Sequence, residues 1–155
     1  MEIAGPAGTR RAAIRDFYTS EGDARIKLAK NEIVTRVILP AAAAGWRGVY
    51  LKLRMRGSID YPLAGVAAVV KANGHIEDAR IALTAVNPAP VLVKGIDRLL
   101  AGKARADVSE ELAAHAGELA ARTAKPLTTS ALTPEYRREM IRVYAKRALL
   151  AALKG

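Results

Sequence analysis

Residues Ala68–Val86, "AVVKANGHIEDARIALTAV", set an Asn-Gly pair between two aliphatic runs. Asn73-Gly74 is the strongest short hairpin signal available, because both central positions of a type I′ turn need positive φ. The run before it, "YPLAGVAAVVKA", is apolar on both faces and belongs at the centre of a sheet. The run after it, "HIEDARIALTAV", directs Ile81, Leu83 and Ala85 one way. Further upstream, "VYLKLRMRGSID", Val49–Asp60, alternates Tyr50, Lys52, Arg54 and Arg56 with Leu51, Leu53 and Met55. Successive side chains of an extended chain point to opposite faces, so this is a strand with one apolar and one cationic side. The three strands form an antiparallel meander. Adjacent cations about 7 Å apart repel by roughly 0.6 kcal/mol in water, which a solvated surface tolerates. The row therefore suits a plain surface, a nucleic-acid track, or one wall of a site for an anionic ligand.

"NPAP" ends the sheet and helical patterns follow. The first covers Val91 to Leu100, with Leu92, Ile96, Leu99 and Leu100 on one side and a stop at Gly102. The second starts at Asp107 with Glu110 as its capping-box partner, and buries Val108, Leu112, Ala116, Leu119 and Ala120. The third takes Thr133 as N-cap and Pro134 as first helical residue. Its apolar stripe is Met140, Ile141, Tyr144, Ala148, Leu149 and Ala152, with Arg138, Arg142 and Lys146 on the opposite face. The class is α+β: a three-stranded or larger antiparallel sheet with helices packed on one face. Before the "AAAAG" linker, "GPAGTRR" is a turn and a basic segment, "RDFYTSEG" a loop or single helical turn, and "EIVTRVIL" a strand closed by Pro40. These pieces lack an evident sheet of their own, which divides the chain into residues 1–42 and 43–155.

The 155 residues suit a domain able to bury a sizeable core. A net charge of +10 favours anionic partners. Aromatics are only 5%, however, and nucleic-acid binders pair charge with stacking rings, so nucleic acid is not the expected partner. With no cysteine the chain holds neither a disulfide nor a thiolate-bound cluster. The alanine runs are too short and too charged to enter a membrane, and "MEIAGPAGTRRAAIRD" lacks the apolar core of a secretory signal, so a cytoplasmic protein is expected. Catalytic constellations are thin. His75 follows the hairpin turn as an exposed strand residue, and His115 flanks the second helix. No helix offers metal ligands at a useful spacing, and neither a P-loop nor GxGxxG occurs. "TTS", Thr128–Ser130, has no adjacent base, and "GPAG" is a weak phosphate signal.

"YLKLRMRGSIDYPLAGVAAVV", "GHIEDARIALTAVNPAPVLV" and "PEYRREMIRVYAKRAL" together resemble the C-terminal part of the FAD-binding (medium) subunit of molybdenum hydroxylases. That family includes carbon monoxide dehydrogenase, xanthine dehydrogenase and 4-hydroxybenzoyl-CoA reductase. "RGSIDYPLAG" and "KPLTTS" look closest to the last of these. The resemblance implies the carbon monoxide dehydrogenase flavoprotein C-terminal fold for residues 43–155, with residues 1–42 as the end of the FAD-binding domain. It implies an oxidoreductase holoenzyme in which FAD exchanges electrons with iron–sulfur clusters of one partner subunit, while another carries the molybdenum cofactor. The family's glycine-rich FAD-phosphate loops have no counterpart in these residues, so the chain alone is not expected to hold FAD tightly. By resemblance, Lys52 matches a lysine near the isoalloxazine and Tyr50 an aromatic that approaches the ring. Arg56 and Asp60 match a basic–acidic pair close to the flavin, and Val34 an apolar contact. A cation near the ring's N1–C2=O or O4 edge stabilises anionic reduced flavin. The alternative is that Lys52, Arg54 and Arg56 solubilise an edge strand and discourage edge pairing; Arg54 is assigned to the surface on either view. A second function for the whole chain is a non-catalytic subunit-docking module that does not bind FAD by itself.

Overall fold

A computed structural model describes residues 1–128 and 131–154. It contains two compact units, Met1–Ala44 and Gly45–Gly155. Of the "TTS" segment, Thr129 and Ser130 lie outside the described residues.

The first unit has a sheet of its own, contrary to the sequence expectation. Strands β1 (Glu2–Gly5), β2 (Gly8–Arg11) and β3 (Ile33–Arg36) form an antiparallel sheet in the order β2-β1-β3. Pro6 and Ala7 make the first reversal, with Gly8 at a φ of 109°. The strands are short and mostly exposed, so they show little of the alternation that marks a half-buried strand. A single helical turn, α1 (Ile14–Phe17), supplies Phe17 to a small core with Ile3. Arg10 forks onto Glu32 through Nε at 2.7 Å and Nη2 at 2.8 Å. That hydrogen bond, with the Ala29 N–H, holds the Glu32 carboxyl down to about 2.

In the second unit, β4 (Trp46–Leu53), β5 (Ala64–Asn73), β6 (His75–Thr84) and β7 (Val91–Leu92) form an antiparallel sheet in chain order. The β5–β6 reversal falls at Asn73-Gly74, but not as the type I′ turn expected. Gly74 alone of the pair has positive φ, Asn73 pairs directly with His75, and a bulge between Lys71 and Ala72 absorbs the offset. Ile81 and Leu83 are buried as expected. Ala85 is not: it lies beyond the strand end, exposed, at a φ of 65°.

Residues Val91–Leu92, expected to begin a helix, instead pair with Leu83 and Ala82 as an edge strand. The helix is only α2 (Ile96–Leu100), entered through Gly95 at a φ of 85°. Two β-branched or aliphatic residues fit either period, and the neighbouring strand decides between them. The next helix, α3 (Glu110–Thr123), starts after Ser109 rather than at Asp107. Ser109 Oγ accepts the Leu112 N–H at 3.2 Å, while Asp107 ends a short 3₁₀ turn. Helix α4 (Pro134–Lys154) begins as the sequence implies, with the Thr133 hydroxyl accepting from Tyr136 N–H at 3.2 Å.

The core lies between the helices and one face of the sheet. Ala64, Val66, Ala68 and Val70 of β5 and Ile76, Ile81 and Leu83 of β6 meet Ala113, Ala116 and Ala120 of α3 and Ile141, Ala145, Ala148 and Leu149 of α4. Val49, Leu51 and Leu53 pack against the same core. By alternation and register, Trp46, Gly48, Tyr50 and Lys52 of β4 share the other face with Gly65, Ala67 and Val69 of β5 and Arg80, Ala82 and Thr84 of β6. Arg80 stacks 4.7 Å from the Trp46 ring centroid on that face. Two cations of the charged face of α4 are ion-paired. Arg142 pairs with Glu139 and with Glu118 of α3, and Lys146 with Glu110.

Candidate functional site

Strand β4 stops at Leu53, so the row Tyr50, Lys52, Arg54, Arg56 is not one face of one strand. Tyr50 and Lys52 project from the sheet; Arg54 and Arg56 belong to a loop, residues 54–63, that closes when Leu63 N–H returns to Leu53 O at 2.8 Å. Asp60 organises this loop. Its Oδ2 accepts the N–H groups of Met55 at 2.9 Å and Arg56 at 3.1 Å, and its carbonyl accepts Lys52 Nζ at 2.9 Å. Arg56 Nη2 donates to Ile59 O at 2.9 Å, while its Nε stays 3.9 Å from the Asp60 carboxylate. The basic–acidic pair is thus joined mainly through backbone. The Asp60 carboxyl is held below its ordinary value, foremost by the Arg56 N–H, with the Met55 N–H and the Arg56 charge also lowering it against partial desolvation.

Lys52 spends one of its three donors on the Asp60 carbonyl. Among the described residues no carboxylate forms an ion pair with it, so a positive charge is presented on the open face. Tyr50, half exposed, crosses β5 to bring its hydroxyl 3.4 Å from Thr84 Oγ1. Gly65 makes this crossing possible: a Cβ there would lie 2.3 Å from Thr84 Oγ1 and 2.7 Å from the Tyr50 hydroxyl. The register Lys52–Gly65–Thr84 runs straight across the three strands. The structure therefore places Tyr50 and Lys52 on one face at the end of β4, with the Asp60 carbonyl on the Lys52 ammonium and Arg56 in the same loop as Asp60. Val34 belongs to the first unit, on β3 opposite Ile3.

The sequence reading did not single out Gly65 or Thr84, although a glycine inside a strand is a signal of close approach. It also gave no role to Arg137, which it quoted only within "PEYRREMIRVYAKRAL". This residue is 5% exposed and donates to three backbone carbonyls: Leu63 at 2.7 Å, Leu127 at 2.9 Å and Ala85 at 2.5 Å. Burial lowers its affinity for the proton below that of an ordinary arginine. Its sequence neighbours are Tyr136, Arg138 and further charges, so only the packed structure distinguishes it.

Residues 49–152 match the CO dehydrogenase flavoprotein C-terminal domain. The chain belongs to that family. Over 151 residues it is 32% identical to the carbon monoxide dehydrogenase medium chain of Hydrogenophaga pseudoflava, covering 97% of this chain and 50% of that one. It is also 32% identical over 131 residues to the aldehyde oxidoreductase FAD-binding subunit of Escherichia coli, covering 82% of this chain and 40% of the other. Quinoline 2-oxidoreductase from Pseudomonas putida 86 superposes with a TM-score of 0.83 at 28% identity, over 100% of this chain and 52% of that one. The chain spans about half the length of these relatives. As a CO dehydrogenase flavoprotein C-terminal domain it has the expected α+β architecture, and its loop 54–63 and Lys52 lie inside the matched region.

The cluster presents one ammonium, one phenol, and a sheet surface kept low by Gly65. It offers no phosphate cradle. Among the described residues no three His, Asp or Glu side chains converge for a metal, and no helix is long and apolar enough to cross a membrane.

Proposed function

We propose that this chain is the C-terminal portion of an FAD-binding subunit in an oxidoreductase of the molybdenum hydroxylase type, with Lys52 and Tyr50 at the rim of the flavin. The observation that supports it most is the half-buried ammonium of Lys52, steadied by the Asp60 carbonyl on the same strand face as Tyr50 in a domain of this family. Lys52 places positive charge where the reduced ring gathers negative charge; Tyr50 supplies an aromatic edge; Asp60 and Arg56 hold the loop that carries the lysine's acceptor. Val34, in the segment assigned to the end of the FAD-binding domain, is proposed as an apolar contact that excludes water. FAD supplies the two-electron chemistry when bound. Iron–sulfur clusters and a molybdenum cofactor belong to partner subunits, and the flavin relays electrons to or from the clusters. "RGSIDYPLAG" and "KPLTTS" favour the 4-hydroxybenzoyl-CoA reductase branch.

The test is the flavin midpoint potential in the assembled subunit. Removing a cation near the ring destabilises the anionic reduced form, so Lys52→Ala is expected to lower the potential by roughly 30–60 mV, equivalent to about 1.4–2.8 kcal/mol for two electrons. An unchanged potential rules out the assignment. The second reading, a docking module without flavin chemistry, predicts full FAD content and an unaltered potential in the same variant. It draws little support from α4, where Arg142 and Lys146 are already paired with Glu118, Glu139 and Glu110.

A further inference from the structure

The three carbonyls that Arg137 binds come from three separate connections. Leu63 ends loop 54–63, Ala85 follows β6, and Leu127 lies between α3 and α4. A buried guanidinium whose hydrogen-bond partners are carbonyls is costly, and an apolar side chain would tie a helix to a sheet at less expense. What the guanidinium adds is a rigid planar fork that sets the positions of its acceptors.

Two of those acceptors adjoin the rim. Leu63 is three residues from Asp60, and its own N–H closes the loop on Leu53, so both of its polar backbone groups are committed. Ala85 follows Thr84, the residue that meets the Tyr50 hydroxyl. Ala85 also holds a left-handed φ of 65°, a conformation that a non-glycine residue keeps only where its surroundings over-determine it. The Arg137 bond to its carbonyl is such a constraint.

We propose that Arg137 is the positioning residue of the rim, holding loop 54–63 and the Thr84–Ala85 turn in the arrangement that places Lys52 and Tyr50. The inference rests on the flavin-rim reading for its purpose, but its first test needs no flavin. The loop carries two exposed tryptic sites, after Arg54 and after Arg56. In the full chain, Arg137→Met is expected to raise the rate of cleavage at these two sites at least tenfold. Cleavage at Lys71 and Arg147 should rise by no more than two- to threefold, as followed by mass spectrometry. An equal rise at all four sites, or no rise after Arg54 and Arg56, overturns the proposal. If Arg137→Met does not fold, Arg137→Lys serves in its place, because a single Nζ cannot stand at once where Nε, Nη1 and Nη2 each meet a different carbonyl.

In the assembled flavin subunit, Arg137→Lys should lower the flavin potential in the same direction as Lys52→Ala while FAD content is retained. If the loop loosens and neither variant moves the potential, the positioning role stands and the flavin reading falls. If Lys52→Ala moves the potential while Arg137→Lys alters neither loop nor potential, the positioning role falls.

Discussion

The Asp60 carboxylate accepts two loop N–H groups, from Met55 and Arg56, so its ionisation and the closure of the loop depend on each other. Its folded pKa is lowered, foremost by the Arg56 N–H. A lowered carboxyl pKa stabilises the closed loop fully above the unfolded value of about 3.9, and that contribution is lost as pH falls through the folded value. The carboxyl carbon of Asp60, followed by NMR, is therefore expected to titrate below about 3.9, with the Met55 and Arg56 amides losing protection from exchange on the acid side. A midpoint at or above that value would show that the two N–H bonds do not hold in solution. Lys52 needs the same loop, because its acceptor is the Asp60 carbonyl rather than the carboxylate. Protonating Asp60 thus disturbs the lysine without touching its direct partner.

The seam between α3 and α4 is built from small residues. Ala113, Ala116, Gly117 and Ala120 of α3 and Ala145 and Ala148 of α4 are buried where the two helices pack, and a Cβ on Gly117 would lie 2.6 Å from the Arg142 carbonyl oxygen. Alanine improves a helix interior by about 1 kcal/mol over glycine. Here the obstruction is backbone, so the helices must separate, and overpacking of this kind costs about 1–3 kcal/mol. Gly117→Ala is expected to be destabilising on balance, with thermal unfolding several degrees lower; an increase in Tm would mean the helices are not in close contact. The same separation would stretch the Arg142–Glu118 and Lys146–Glu110 pairs, but exposed pairs contribute little.

Across the whole chain, burial is unevenly shared. The second unit buries a continuous core drawn from β5, β6, α2, α3 and α4, whereas the first rests chiefly on Ile3 and Phe17 among the described residues. Ile14, Ile33, Val37 and Leu39 of the first unit are exposed. With so little apolar area removed from water, its local opening should be easy. Amides of β1–β3 are expected to exchange at least about tenfold faster than those of β5 and β6, a difference of roughly 1.4 kcal/mol in opening free energy. Equal protection in both units, measured by hydrogen exchange with mass spectrometry, would contradict this.

The meander, the α+β class and the α4 start were legible from sequence because they depend on short-range rules: alternation in β4–β6, an Asn-Gly reversal, and a Thr-Pro helix entry. The three-stranded sheet of the first unit was not, because its strands are only four residues long and β2 and β3 are too exposed to alternate visibly. Nor was β7, since two residues carry no period and pairing with Ala82 and Leu83 alone makes them a strand. Of the candidate site, Tyr50 and Lys52 follow from alternation, and their link to flavin comes from family resemblance. The division of the cationic row at Leu53, the seat at Gly65 and the Arg137 clamp all depend on hydrogen bonds between residues distant in the chain. Local sequence determines which way a side chain points from a strand; only the closed tertiary structure decides where the strand ends and which carbonyls await a buried cation.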